Sequence, residues 1–525
     1  MTQEGPAKPS LSEAKNLITF FFWVTTSFLD LFGEMDLMQP LGHWITAPTG
    51  CEQYREQDTM YFLIFAIAAQ ADPTSKESLA DTYFAYGRYL VTCHFSEQPS
   101  ITAVQSYMLI AMYLFAAARR DAAFMYTGLA TRAAYALGLH RDGSEVSSPA
   151  EQRNVHQRLW KAVRVLDGYI STNLGRTPAN NQSCGTTIND RYSSTLALCQ
   201  IFQEILDQIY SKRRVSSNML RKISDRQRQW TSRLREGLEN DGIPFTEYID
   251  TADHKELNLG LLFVKSGYYW SIILLSRPFL VDHASSVAST VESSSPATSP
   301  KSAETDIMVS ACVDSAIHLI ELFQRLANLD RLPKRLPFVV NTVHTASLIL
   351  ALSVFLDYDR KLRIGQYLER ARSILVLFGA HDPLAKCNLA INESLQRCCD
   401  SYIKKRDQRS FRRQGNLVAQ YFGSLKEPET LDIGTSSCLL PQDESLSSVD
   451  LFDSDFNFLE PMDSASFLTD DSHPSLGNHG LEFTTSAIQS DFYDFIFPPD
   501  YTLFGSIDGG LRPLTSLDAS FTDGI

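Results

Sequence analysis

The sequence predicts an all-α protein, in which a large helical domain carries a disordered insert and ends in a disordered acidic tail. Apolar residues recur along the body at the three- and four-residue steps of one helix face, whereas sustained alternation of period two is absent. Two stripes show this pattern: Val155, Leu159, Val163, Leu166 and Ile170, and then Cys312, Ala316, Leu319, Phe323 and Leu326. With 525 residues, 44% of them apolar, the chain is long enough to bury a sizeable core.

Two segments lack the helical pattern. Residues 1–13 are mostly polar, contain two prolines and are predicted to be disordered. The helical domain, residues 14–403, is interrupted at residues 283–305, which consist almost entirely of Ser, Ala, Thr, Val and Pro. Because this insert has no large apolar side chains to bury, we expect it to be disordered as well.

Charge is distributed unevenly along the chain. Residues 427–525 contain 19 acidic residues and one basic residue, Arg512, for a net charge of −18, whereas residues 1–426 carry +4. Twelve aromatic residues are interleaved with the acids, as in Asp450 to Glu460 and Asp491 to Tyr501. Repulsion among carboxylates keeps such a segment open, which is typical of acidic-hydrophobic activation segments; the alternative is that some rings dock back on the body. The candidate activation residues are Phe452, Phe456, Phe458, Phe492, Tyr493, Phe495 and Phe497.

Two basic segments raise the question of nucleic-acid contact. Ser211 to Leu238 holds nine basic residues against two acidic ones, so phosphate contact is electrostatically possible, although charge runs on helices are usually solvated faces. Residues 404–426 form a basic junction between the helical domain and the tail. The candidate nuclear-import residues in this junction are Lys404, Lys405, Arg406, Arg409, Arg412 and Arg413.

Cysteine usage and hydropathy predict an intracellular chain without a membrane anchor. The nine cysteines are odd in number, thinly spread and form no Cys-x2-Cys pair, so we expect reduced thiols. The apolar run Leu17 to Leu29 is shorter than the roughly 20 residues that cross a bilayer, and acidic residues follow it where a signal peptide would be cleaved. The next apolar window, Ile101 to Ala118, is expected to be a buried helix.

Common signatures of enzymes and metal sites are missing from the sequence. It contains no G-x-S-x-G, P-loop, G-x-G-x-x-G or H-E-x-x-H motif. Asp453 begins a calcium-loop-like pattern, but Phe458 stands where the loop needs Gly and Ser464 where it needs Glu. His140 and His156 have no second ligand at metal-binding spacing. We therefore expect no catalytic residue, metal or cofactor.

Three segments depart from a generic helical pattern. In Arg120 to Gly143 we expect Gly128 to allow close helix approach, Gly138 to end the helix, and four residues to point inward: Met125, Leu129, Ala133 and Leu137. The second segment is Arg158 to Pro178, and the third, Gly267 to Leu280, is an apolar helix expected to end at Arg277 and Pro278.

The second segment contains an acid that needs a partner. Asp167 lies seven residues after Trp160, on the flank of the apolar stripe, so its carboxylate is expected to be only partly exposed. A buried carboxylate without a partner is costly, and Arg164 and Arg132 are the cations that we expect to pair with it.

Together the three segments resemble the middle homology region of the fungal zinc-cluster transcription factors, the fungal-specific transcription factor domain. The resemblance covers roughly residues 17–400 and includes LGLHRD at Leu137 to Asp142 and L-x-R-P-F-L at Leu275 to Leu280. Lys161, Gly168 and Thr177 depart from the family pattern. The residues that the resemblance assigns to its motifs are Arg132, Gly138, Leu139, His140, Asp142, Arg158, Trp160, Asp167, Gly175, Arg176, Pro178, Arg277 and Pro278.

The resemblance implies an α-helical regulatory domain that has no catalytic residues and often controls a metabolic or biosynthetic gene set. Family members usually carry a six-cysteine zinc module upstream, beginning Cys-x2-Cys-x6-Cys, whereas the first cysteine here is Cys51. Either the product is a shortened regulator that acts through a partner, or its true N-terminus was lost. The sequence therefore leaves open whether the protein contacts DNA directly or indirectly.

These observations predict a nuclear transcriptional regulator whose acidic tail recruits coactivators. The second hypothesis is a co-regulator without its own DNA binding that modulates a zinc-cluster partner, and a homodimer is also open. The third is a helical ligand-binding protein or enzyme, which would need a polar pocket with perturbed titratable groups.

Overall fold

The all-α prediction is confirmed by a computed structural model. It describes residues 5–141, 150–180, 187–188, 191–211, 216–250, 255–292, 303–329, 331–360 and 362–423. The helices of these residues are α1 (Leu11–Thr25), α2 (Glu34–Thr46), α3 (Arg55–Ala71), α4 (Glu77–His94), α5 (Ile101–Ala116), α6 (Arg120–Ala136), α7 (Ala150–Leu174), α8 (Ser194–Ile205), α9 (Ser217–Ser232), α10 (Leu234–Asn240), α11 (Leu259–Glu292), α12 (Ala303–Gln324), α13 (Pro337–Phe355), α14 (Ile364–Gly379) and α15 (Pro383–Phe422).

The strands in the described residues form two short antiparallel hairpins. β1 (Thr187–Ile188) pairs with β2 (Arg191–Tyr192), and β3 (Tyr248–Asp250) pairs with β4 (Lys255–Leu257). They connect α7 to α8 and α10 to α11 without adding a sheet to the core.

The helices share one continuous apolar core. The ring of Phe28 lies 4.7 Å from Tyr169, 4.7 Å from Phe263 and 4.5 Å from Phe338, measured between ring centroids. These four rings join the chain segment after α1 to α7, α11 and α13. Helix α5 is buried over nearly its whole length, as expected for the window Ile101 to Ala118. The body therefore behaves as one packed unit and not as separate small bundles.

The N-terminal segment differs from the prediction of disorder for residues 1–13. The ammonium group of Lys8 donates hydrogen bonds to the carbonyls of Trp44 and Ala47 at 2.6 and 2.9 Å, and it lies 3.7 Å from the buried carboxylate of Asp58. Ser10 then caps α1, because its hydroxyl accepts the Glu13 N–H. One buried ion pair and one helix cap thus order residues that composition alone would leave loose.

The prediction of disorder over residues 283–305 is wrong at both ends of this range, where the chain is helical. Helix α11 continues to Glu292, and α12 begins at Ala303. The expectation that Pro278 ends the apolar helix is wrong for the same reason, since α11 passes through it. Residues 293–302 lie outside the described residues.

Within the described part of the chain, two helices are long and apolar enough to cross a membrane by length and composition alone. They are Leu259–Val287, whose most apolar window is 78% buried inside the body, and Phe338–Phe355, at 72%. Burial in the core accounts for their hydropathy, as it does for other central helices of large α-proteins.

Candidate functional site

The first motif segment, around α6, buries its small side chains and exposes two of its large ones. The expectation that Met125 and Leu129 point inward is wrong: they are 66% and 44% exposed. Gly128 has open space around it, and Arg132 lies exposed on the same side of the helix. The buried face carries small residues at steps of four, three and four, which let α6 lie against α5: Ala123, Thr127, Ala130 and Ala134.

The end of α6 is fixed by a glycine and an aromatic cluster. Gly138 has a φ of +73°, and the N–H groups of Gly138 and Leu139 bond the carbonyls of Tyr135 and Ala134 at 3.0 and 3.1 Å. This is the left-handed helix end expected of Gly138. The ring of Tyr135 then lies 4.8 Å from that of His140 and 5.4 Å from that of Trp160 on α7.

Asp167 is completely buried at the centre of the second segment. It is 1% exposed, and its carboxylate accepts the Asn180 N–H at 3.1 Å and the Ser171 hydroxyl at 3.4 Å. Burial raises the pKa of Asp167 to about 6, while the N–H groups of Asn180 and Ala179 act in the opposite direction. Backbone and hydroxyl donors therefore hold this acid, where the sequence analysis expected partial exposure and an arginine.

The loop after α7 reaches back to the start of α6. Gly175 has a φ of +66° and turns the chain out of the helix. The Arg176 guanidinium then lies 2.6 Å from the carboxylate of Asp121 and 5.1 Å from the centre of the Phe124 ring. Both partners belong to the first turns of α6, so Gly175 and Arg176 tie the end of α7 to the start of α6.

The same loop holds the other end of α6 through Asn180. The Tyr135 hydroxyl donates to the Asn180 side-chain oxygen at 2.8 Å, and the Asn180 carbonyl accepts from the Gln203 side chain on α8 at 2.9 Å. Pro178, which lies between Arg176 and Asn180 in the sequence, is buried. Asn180, Tyr135 and Gln203 were missed by the sequence analysis, because they meet only in the tertiary structure.

Arg158 and Trp160 face different surroundings although they share a motif. The Arg158 guanidinium lies 3.4 Å from the Asp36 carboxylate, which also accepts the Gly33 N–H at 2.9 Å at the start of α2. Trp160 is buried. Arg158 thus links α7 to α2, while Trp160 packs into the cluster at the end of α6. His140 is half-buried beside Trp160, and Asp142 lies outside the described residues.

The third segment explains how a proline is tolerated inside α11. Pro278 has no N–H to give to the carbonyl of Leu274, four residues earlier. That carbonyl instead accepts a hydrogen bond from the Tyr210 hydroxyl at 3.0 Å, and Arg277 donates to the same hydroxyl at 2.9 Å. Tyr210 comes from a π-helical turn, Leu206–Tyr210, that follows α8. Arg277 and Pro278 thus attach α11 to this turn.

Metal-binding clusters are absent from the described residues, which contain two hollows of different size. No group of three His, Cys, Asp or Glu side chains is arranged to hold a metal among them. An internal cavity of about 20 Å³, lined by Phe28, Gln70 and Phe338, has room for about one water molecule. A broader surface hollow of about 460 Å³ lies beside Arg235 and Phe245. Neither brings acids or histidines together.

The basic segment Ser211 to Leu238 presents cations that are largely paired. Glu204 lies 2.7 Å from Lys222 and 2.9 Å from Arg226. Arg228 pairs with Asp225, and Arg233 lies 2.7 Å from Glu236. Residues 212–214 lie outside the described residues. Pairing of this kind fits the solvated-face interpretation better than a phosphate-binding surface.

Residues 404–422 of the basic junction are helical and belong to α15. Arg406 lies 2.9 Å from Asp357 and 2.7 Å from Asp359, so it anchors the helix to the turn after α13. Arg406 is therefore an anchoring residue. The other import candidates lie on the same helix: Lys404, Lys405, Arg409, Arg412 and Arg413. The candidate activation residues of the tail lie outside the described residues, as does everything after Gly423.

Comparison with known proteins supports the resemblance over part of the body. Residues 48–187 match the model of the fungal specific transcription factor domain. The match includes α6, the Gly138 helix end, Asp167 and the loop through Asn180. The third segment, Leu275 to Leu280, lies outside it.

Several curated relatives are named as regulators. The chain is 27% identical over 164 residues to the thiamine repressible genes regulatory protein thi1 of Schizosaccharomyces pombe, covering 27% of this chain and 21% of that protein. It is 31% identical over 116 residues to the transcription factor FBD3 of Fusarium pseudograminearum, covering 22% and 15%. An uncharacterized transcriptional regulatory protein of Schizosaccharomyces pombe is 24% identical over 274 residues, covering 49% and 32%. The matches thus span about a third or less of these relatives.

Proposed function

We propose that the chain is a nuclear transcriptional regulator, because residues 48–187 match the model of the fungal specific transcription factor domain. Its helical body serves as the regulatory part, and its acidic-aromatic tail, residues 427–525, recruits coactivators. The observation that carries the proposal is the domain match, together with relatives named as transcriptional regulators. By analogy with the name of the thi1 relative, the target genes belong to a metabolic or biosynthetic set.

The activation role rests on the composition of the tail. Its net charge of −18 repels DNA, so its contacts are with proteins. Two or three rings buried in a coactivator groove contribute roughly 1.5–3 kcal/mol each, and ordering the segment costs on the order of 2–5 kcal/mol. The balance supports weak, exchangeable contact with a groove that has a basic rim.

A reporter assay tests this activation role directly. Residues 427–525 fused to a foreign DNA-binding domain are expected to activate a reporter gene. Alanine at four aromatic positions should remove most of this activity: Phe492, Tyr493, Phe495 and Phe497. The matched control replaces four nearby hydroxyl side chains and should stay active: Thr484, Thr485, Ser486 and Ser490. A silent wild-type fusion would refute the activation role.

Nuclear import is assigned to the basic junction. A fluorescent fusion of the full chain should become largely cytoplasmic when the junction cations other than Arg406 are changed to alanine: Lys404, Lys405, Arg409, Arg412 and Arg413. Arg406 is retained because its ion pairs with Asp357 and Asp359 hold α15 in place. The control changes exposed cations of α9 and α10 instead: Arg221, Arg228 and Arg235. Unchanged nuclear localisation of the junction variant would contradict this assignment.

A second candidate function is that of a co-regulator without its own DNA binding. The pairing of α9 cations with Glu204, Asp225 and Glu236 favours it, because paired cations release few counterions on binding DNA. A binding assay on the purified full chain over a range of salt concentrations separates the two candidates. Specific binding with a steep salt dependence would favour the direct regulator, and its absence would favour the co-regulator.

A further inference from the structure

The last four turns of α15 form an exposed, amphipathic helix end. Beyond the Arg406 anchor, residues 407–422 remain helical and are almost entirely exposed. Three aromatic residues on this amphipathic end are largely exposed to solvent: Phe411 at 78%, Tyr421 at 81% and Phe422 at 86%. Rings of this size present on the order of 400 Å² of apolar surface, which is typical of an interaction site.

The apolar and basic residues of the amphipathic end lie on different faces. Phe411, Val418 and Phe422 follow one another at steps of seven and four, so they share one face, and Leu417 and Tyr421 flank it. The arginines at 412 and 413 lie about 100° and 200° around the helix from Phe411. A ligand for this surface therefore needs apolar rings for the stripe and negative charge for its basic edges.

One segment of the chain itself has this composition. Residues 450–460, DLFDSDFNFLE, contain four acids and no base. Phe452, Phe456 and Leu459 stand at steps of four and three, the spacing of a helix face. Asp453 and Asp455 fall between these residues, and Asp450 and Glu460 lie at the two ends of the segment, so its rings and carboxylates meet the stripe and the cations at the same time.

We propose that residues 450–460 dock on the amphipathic end of α15 in the same chain. The 26 residues between Gly423 and Asp450 reach as far as about 90 Å, whereas the amphipathic end is only about 24 Å long. A tether of this length gives an effective concentration near the millimolar range, so even weak contacts are occupied. The docking rests on the proposed function only in that the same tail segment serves both.

Charge disfavours a second copy of the chain as the occupant. Pairing two amphipathic ends would bring two sets of arginines into proximity, and Asp407 is the only acid among residues 407–422. The acidic segment instead reduces this positive charge as it covers the rings. The helix thus selects an acidic, aromatic peptide over a copy of itself.

Hydrogen exchange on the full chain tests the docking. We expect amides of residues 407–422 to exchange about tenfold more slowly than in a variant with alanine at Phe452, Phe456 and Leu459. Alanine at Phe411, Val418 and Phe422 should release residues 450–460 in the same way. Because these side chains are exposed, the latter variant keeps the fold, which urea unfolding checks. The matched control, Asn416→Ala with Gln420→Ala, lies on the opposite face and should leave exchange unchanged.

Three results would overturn the proposal. Equal exchange of residues 407–422 in the wild type and in the tail variant would show that the tail does not cover the helix. Protection that grows with protein concentration would assign the surface to a second copy, and protection that needs added phosphatidylserine vesicles would assign it to a membrane. None of these depends on the reporter assay, in which the fused tail lacks α15, so failure of docking and failure of activation are separable.

Discussion

Replacing Tyr210 by phenylalanine removes a single hydroxyl from the attachment of α11. That hydroxyl donates to the Leu274 carbonyl at 3.0 Å, in place of the N–H that Pro278 lacks. Because Tyr210 is 5% exposed, water has little access to the carbonyl once the hydroxyl is gone. A buried carbonyl left without a donor lowers the free energy of unfolding by about 1–3 kcal/mol. Arg277 loses an acceptor at 2.9 Å in the same substitution, so the upper half of this range is expected.

The matched control is Pro278→Ala, which supplies a backbone N–H at the position where the helix needs one. In that background the alanine N–H can bond Leu274, so Tyr210→Phe should cost about 1 kcal/mol less than in the wild type. Urea unfolding of the wild type, the two single variants and the double variant completes a double-mutant cycle. The packing cost of removing the proline ring is present in both proteins of the Pro278→Ala background, so it cancels from the comparison. Equal costs of Tyr210→Phe in the two backgrounds would refute the idea that the tyrosine compensates for the proline.

Two further predictions concern the second segment and α6. The pKa of Asp167 is raised from an ordinary 3.8 to about 6, so the folded chain binds this proton more tightly than the unfolded chain does. As the pH rises from about 4 to about 6, the unfolding free energy of the wild type should therefore fall by about 3 kcal/mol relative to that of Asp167→Asn. A difference in unfolding free energy that does not change with pH would contradict this. Gly138→Ala should destabilise the protein by about 1–2 kcal/mol, because φ at this position is +73°. Gly128→Ala, in open space within α6, should instead stabilise it by about 0.5–1 kcal/mol. Thermal unfolding compares the two variants, and equal effects would be inconsistent with a left-handed helix end at Gly138.

The helical class was predictable from sequence because periodicity is a local property. The same periodicity did not decide which face of α6 is buried. The stripe through Met125 and Leu129 and the stripe through Ala123 and Ala130 both have helical spacing, and hydropathy favoured the larger residues. Close packing on α5 selects the small residues instead, and nothing in α6 itself encodes how close its neighbour comes.

Long-range partners account for the other differences. Pro278 normally ends a helix, but Tyr210, 64 residues from Leu274, supplies the missing hydrogen bond. Lys8 would belong to a loose N-terminus if Asp58 were not buried beside it. Gly138 was correctly expected to end α6, because a left-handed helix end restricts the residue itself, whatever its neighbours are.

The anchor at Arg406 makes the last turns of α15 a spacer of defined length and phase. From there to Gly423 the helix extends about 24 Å, and each residue added or removed rotates everything beyond it by about 100°. Deleting four residues would shorten the spacer by about 6 Å and nearly preserve its orientation, whereas deleting two would turn the attachment point to the other side. The body thus sets the distance and the direction from which the acidic tail starts.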